Sequence, residues 1–171
     1  MTRYAVLLRG INVGHNHRIA MADLRAALTD AGYGNVATLL QSGNVVLDSD
    51  RPAAELRPEL ERLLADRYGF DVPVMLRSRD DLARIVAHNP LGGIATDGSR
   101  YFVSFAEVAT PLDVTVDSAD RYVTDGLETY LWCPDGMRDS PLMKALGRIK
   151  NPPPSTMRNW NTVVKLHAMM D

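Results

Sequence analysis

The order in which two hydrophobic periods alternate along residues 1–78 constrains this chain more than any other feature. Tyr4 to Arg9 is a short apolar run suited to a buried strand, and Gly10 ends it. Met21, Leu24 and Leu28 then recur at helical spacing, with Asp23 near the start and Gly32 placed as a stop. Val36–Gln41 and Val45–Asp48 read as strands joined by a tight Ser-Gly-Asn hairpin. Leu56, Leu60, Leu63 and Leu64 mark a second helix closed by Gly69, in which Pro58 is acceptable only within the first turn. Val72–Arg77 is a fourth strand. The order β-α-β-β-α-β is the split βαβ unit of a ferredoxin-like α/β plait, an α+β fold with two helices on one face of an antiparallel sheet.

A second, related α/β unit is expected over residues 79–171, following a ferredoxin-like unit over 1–78. Ser78 and Asp81 supply capping-box chemistry for a helix around Asp80–Ala87, and Asn89-Pro90 stops it. Arg100–Ala106 reads as a strand, and Arg121–Thr124 and Leu127–Cys133 flank Asp125-Gly126, a strong hairpin signal. Ser140-Pro141 opens a helix by N-cap and N1 preference. The proline loop at 150–155 leads to a final helix carrying Trp160, Val163, Leu166 and Met170, with Trp160 expected as an interior anchor.

Composition excludes several classes. With 46% apolar and 23% charged residues the chain is an ordinary globular protein, and a net charge of −2 excludes a strongly basic nucleic-acid coat. Charge is uneven: residues 92–136 carry two basic and eight acidic side chains, whereas residues 137–171 carry six and two. The last segment therefore attracts anions locally. Cys133 is the single cysteine, which excludes an internal disulfide or a Cys-based zinc cluster and suits a reducing cytoplasm. No apolar stretch reaches bilayer length, so no membrane partner is expected.

Three blocks, LLRGINVG followed by MADLRAAL, LLQSGNVV, and STMRNWNTVVKL, resemble the DUF1697 family of bacterial proteins of unknown function. The resemblance runs over nearly the full chain in the expected order and implies two ferredoxin-like plaits, but no reaction. Family members usually have a second glycine after Gly14 and often a lysine before the helix, where this chain has His15 and Arg18.

The loop from Arg9 to Ala20 holds two glycines, two arginines, two asparagines, two histidines and no acidic residue. Backbone amides beside a helix N-terminus form an anion site, which Arg9 and Arg18 can close on a phosphate or carboxylate. Gly14 belongs to the candidate set, although Gly10 and Gly14 also simply permit a tight backbone, and Asn12 either contacts the ligand or bonds the loop to itself. Ser42 and Asn44 belong to the candidate set, although turn chemistry alone accounts for most of their stretch. Arg158 and Asn159, on a basic approach with Arg148 and Lys150, are expected to join the same site, with Asn159 or Asn161 also able to cap the last helix. The pentapeptide G-x-S-x-G is absent, so Ser42 is no nucleophile. His15 and His17 form H-x-H without a third ligand nearby, and no metal or other cofactor is expected.

The leading expectation is a non-catalytic binding module for an anionic ligand, a nucleotide or a nucleic acid. The alternative is a small enzyme acting on a phosphorylated or carboxylated metabolite, with Arg9 and Arg158 as clamps and His15 or His17 as general acid or base.

Overall fold

The structure, a computed structural model, describes residues 1–171. It has five helices and two four-stranded antiparallel sheets. The chain divides into two compact units, Met1–Arg84 with Leu166–Asp171, and Ile85–Lys165.

The first unit contains β1 (Thr2–Leu8), α1 (Met21–Asp30), β2 (Gly34–Leu39), β3 (Asn44–Ser49), α2 (Ala53–Tyr68) and β4 (Val74–Ser78). Its strands lie in the order β2-β3-β1-β4 with every pairing antiparallel. Tyr4, Val6 and Leu8 of β1 join Val45, Leu47 and Val74 on one face, where Leu24 and Leu28 of α1 and Leu56 and Leu60 of α2 cover them. Ala5 and Leu7, on the other face, are also fully buried. A strand buried on both faces needs apolar residues at consecutive positions, which is why β1 reads as a continuous run.

Pro58 does not lie in the first turn of α2. The helix starts at Ala53, with Leu56 N already donating to Pro52 O at 2.9 Å, so Pro58 falls in the second turn and denies Ala54 its helical donor. Gly69, at φ 78°, ends α2 in the left-handed region and donates to Ala65 O.

The next helix, α3 (Arg79–His88), begins with the expected box: Asp81 Oδ2 accepts from Ser78 N at 2.8 Å, and Ser78 Oγ accepts from Asp81 N at 3.1 Å. It spans the boundary between Arg84 and Ile85. The second unit continues with β5 (Tyr101–Ala106), β6 (Arg121–Asp125), β7 (Glu128–Trp132), α4 (Pro141–Gly147) and β8 (Ser155–Asn159). The last helix, α5 (Trp160–Met169), spans the boundary between Lys165 and Leu166. The second sheet has the order β6-β7-β5-β8, the same arrangement as the first. Residues 107–120, between β5 and β6, form neither helix nor strand, whereas the first unit places α1 between its first two strands.

Several local expectations shift. The β6-β7 register pairs Asp125 with Glu128, so the turn residues are Gly126 and Leu127, not Asp125 and Gly126. Gly126 takes φ 62° at the first turn position, the place a type II′ hairpin requires glycine. The segment before α5 is a strand, with Val103 opposite Arg158 and Phe105 opposite Thr156. Trp160 is half-buried, because it is the first residue of α5; its ring stacks on Tyr101 with centroids 4.9 Å apart. Ser140 caps α4 by accepting from Met143 N, and its hydroxyl donates to the buried carboxylate of Asp120 at 2.7 Å.

Because Pro58 is exposed and leaves a helical carbonyl without its donor, Pro58→Ala is expected to stabilise the protein by about 1–3 kcal/mol, read as a higher urea midpoint at unchanged slope. A lowered midpoint would mean that the proline ring stabilises α2 by packing.

Candidate functional site

The candidate loop is held from inside by one side chain. Asn12, at φ 56°, donates from Nδ2 to Ile19 O at 2.9 Å and to Gln41 O at 2.7 Å, while its Oδ1 accepts from Ile19 N at 2.9 Å. Its backbone N donates to His17 O at 3.0 Å. Both amide functions of Asn12 are therefore spent on closing the loop and tying it to the β2-β3 turn. Asparagine tolerates the left-handed backbone this geometry imposes.

The turn at 40–43 meets the loop at close quarters. Gly43 has φ 90°, and a Cβ there would lie 2.7 Å from Ile11 Cδ1 and 2.9 Å from Leu8 Cβ. Asn44 is fully buried, its Nδ2 donating to Leu39 O at 2.8 Å and Ser42 Oγ at 3.0 Å. Ser42 is exposed. Arg9, Asn12, Gly14, Arg18, Ser42 and Asn44 thus gather on one end of the first unit, where β1 finishes and β3 begins. Asn44 braces the turn from inside, and Arg9, Gly14 and Arg18 face solvent.

Arg9 and Arg18 make no ion pair. In the same unit Arg3 reaches Asp48 at 3.0 Å, Arg51 reaches Glu59 at 2.7 Å and Arg79 reaches Asp171 at 2.8 Å, whereas Arg25 and Arg62, like Arg9 and Arg18, have no carboxylate partner. His15 is exposed, and the His17 ring lies flat on Phe70 with centroids 4.3 Å apart. Helix α1 has no side-chain cap at Ala20. Its first-turn Asp23 takes two hydrogen bonds from Arg67, at 3.0 and 2.5 Å, and one from Tyr68 Oη at 2.7 Å. The Arg67 bonds, with help from Tyr68, hold the Asp23 carboxyl at about 2. Burial and the neighbouring Asp23 push the Tyr68 phenol up to about 12. Sequence spacing gave no sign of this brace, since its partners lie 44 and 45 residues apart.

Arg158 and Asn159 belong to the second unit. Arg158 is an interior residue of β8, 7% exposed, and its Nη1 donates to Thr156 Oγ1 at 2.7 Å and to Met157 O at 2.9 Å. Burial lowers its guanidinium to about 10. Asn159 caps α5, its Oδ1 accepting from Thr162 N at 2.9 Å. Arg77 of β4 is the counterpart of Arg158 in the first unit. It is 5% exposed, stands one residue before the end of its strand, and donates from Nη1 to Leu76 O at 2.8 Å. No group of three or more His, Cys, Asp or Glu side chains is arranged to hold a metal ion. No helix is long and apolar enough to cross a membrane.

A family model described as "Protein of unknown function (DUF1697)" matches residues 1–129. The chain belongs to this family. Among solved structures, a conserved bacterial protein from Streptococcus pneumoniae is 27% identical to this DUF1697 chain, covers 99% of each chain and superposes with a TM-score of 0.81. No curated protein matches the chain.

Three outcomes follow for this end of the first unit of the DUF1697 chain. Gly43→Ala is expected to cost about 2–4 kcal/mol by denaturant unfolding, from left-handed strain plus overpacking against Leu8 and Ile11. At Gly14, where a Cβ would meet nothing within 4 Å, alanine is expected to cost only about 1–2 kcal/mol. Because the Asp23 carboxyl is lowered on folding, its contribution is present above the ordinary carboxylate range and is lost as pH falls from about 4 towards 2. Unfolding midpoints recorded across that window should fall more steeply in the parent than in Asp23→Asn; equal slopes would leave the brace without effect on stability.

Proposed function

We propose that this protein is a binding module for an anionic ligand, a nucleotide or a nucleic acid, which it takes on the Arg9–Ala20 loop without performing a reaction. The observation that carries this reading is the contrast between a loop closed rigidly by Asn12 and the two arginines on it left without carboxylate partners. A scaffold that fixes its backbone while leaving its cations unpaired has already met the ordering cost of binding. The uncapped start of α1 adds amide donors and the positive end of a helix beside them. Each charge-assisted contact contributes about 1.5–3 kcal/mol, so two arginines with backbone amides give roughly micromolar affinity for a phosphate group after the cost of association.

The scaffold in this reading is a pair of ferredoxin-like α/β plaits. Support comes from the β2-β3-β1-β4 and β6-β7-β5-β8 orders and from the antiparallel pairing throughout. The enzyme alternative is less favoured, because the His17 ring is stacked on Phe70 and His15 has no group to orient it as an acid or base.

Calorimetric titration with nucleotides and short oligonucleotides, at low and moderate salt, tests the proposal. Arg9→Ala and Arg18→Ala are each expected to weaken binding by about tenfold or more, and added salt to weaken the parent. Binding unchanged in both variants, or absent from a folded parent for every ligand, refutes the reading.

A further inference from the structure

The two units share one strand plan, so their sheet faces can be compared position by position. Leu8 N donates to Gly43 O and Ala106 N donates to Leu127 O, each at 2.9 Å, which aligns β1 with β5 and β3 with β7. The pairings of β1 with β4 and β5 with β8 extend the match, Val6 lying opposite Leu76 and Ser104 opposite Met157. On the helix-bearing face, the first unit places Val6, Leu8, Val45 and Val74 where the second places Ser104, Ala106, Thr129 and Ser155. Four branched apolar side chains are thus replaced by three small hydroxyl residues and an alanine. In the first unit that face lies under Leu24 and Leu28 of α1. In the second, where residues 107–120 form no helix, a cavity of about 360 Å³ opens over those four residues.

The cavity has a graded lining. Its floor carries the hydroxyls of Ser104, Thr129 and Ser155; Thr129 Oγ1 lies 3.3 Å from Thr124 Oγ1, while the other two have no hydrogen-bond partner within the chain. Leu112, Leu127, Leu146, Ile149 and Met157 form apolar walls, and Leu127 and Ile149 remain 38% exposed. One wall runs through a cationic stretch: Lys144, Arg148 and Lys150 are exposed and without ion pairs, and residues 140–165 contain no acidic side chain. Acidic neighbours of the lining are Glu107 beside Ala106, Asp113 beside Leu112, Asp125 beside Gly126, which pairs with His88 at 3.5 Å, and the buried Glu128, which alternates to the other face of β7 between Leu127 and Thr129.

We infer that this cavity is a second binding site, for a small amphipathic carboxylate whose apolar body fills the space left by the missing helix and whose anionic head meets Arg148 and Lys150. A concave, mostly apolar site of this size with a few placed polar groups is the usual form of a small-ligand pocket. Filling it also removes the exposed faces of Leu127 and Ile149 from water. All of its lining residues belong to the second unit.

Titration of the full chain with sodium decanoate and, separately, 1-decanol tests the inference. Decanoate is expected to bind saturably and about tenfold or more tightly than decanol. Ala106→Leu, which installs the residue the first unit has at that place, should fill the cavity and lower decanoate affinity by about tenfold or more, with an unfolding midpoint at or above the parent's. Arg148→Gln with Lys150→Gln should bring decanoate down to the decanol level and leave decanol unchanged. The inference is overturned if the parent binds neither probe saturably, if folded Ala106→Leu binds decanoate as the parent does, or if decanol matches decanoate in the parent.

Discussion

Everything at the candidate loop depends on β1 being hydrogen-bonded on both edges and buried on both faces. A strand so placed has no freedom at its end: Leu8 N goes to Gly43 O and Arg9 N to Pro73 O. The next residues must turn, and Gly10, at φ 74°, makes the turn sterically allowed. Arg9 is therefore delivered to the sheet's rim by the same bonds that satisfy the buried backbone. Asn12 then fixes the rest of the loop against the neighbouring turn. The arrangement separates two jobs: amides and the asparagine hold shape, and the arginines are left over.

The two units diverge through side-chain volume on one sheet face. Where the first unit presents Val6 and Leu8, a helix with Leu24 and Leu28 finds enough apolar surface to dock. Where the second presents Ser104 and Ala106, the same backbone gives a helix little to bury against, and the intervening chain packs Val114 and Val116 beside α4 instead. Helices in proteins form chiefly because an apolar stripe is covered, so the loss of the helix and the smaller sheet residues are two aspects of one change. The buried arginines moved the other way. Arg77 and Arg158 occupy matching places and both donate to the carbonyl of the preceding residue, so strand geometry kept what surface packing altered.

Much of the first unit was legible in the sequence, because its strands and helices announce themselves through periodicity and its ends through Gly10, Gly32 and Gly69. The mixed order of helices and antiparallel strands followed from the same signals. What stayed hidden involved polar residues in interior positions. β8 has Thr156 and Arg158 on a buried face, so its alternation looks like a polar loop, and Arg158 looks like a surface cation. The β6-β7 turn slipped by one residue because Asp125 pairs with Glu128 and leaves Gly126-Leu127 to make the turn. At the candidate loop the asparagine's internal role was readable from its residue type, but the brace of Asp23 with Arg67 and Tyr68 was not, since no local pattern encodes a contact between distant helix ends.

The inclusion of Leu166–Asp171 in the first unit sets an order of assembly. Arg3 donates through Nε and Nη2 to Met169 O at 3.3 and 3.2 Å, and Arg79 binds the Asp171 carboxylate. On the ribosome, residues 1–84 emerge first, yet these partners are made only after all of residues 85–165, a delay on the order of ten seconds at usual synthesis rates. Until the latest-made residues arrive, Arg3 has only Asp48 and the Asn35 carbonyl, and the exposed Arg79 has water in place of the Asp171 carboxylate. Synthesis therefore delivers the closing contacts of the first unit last.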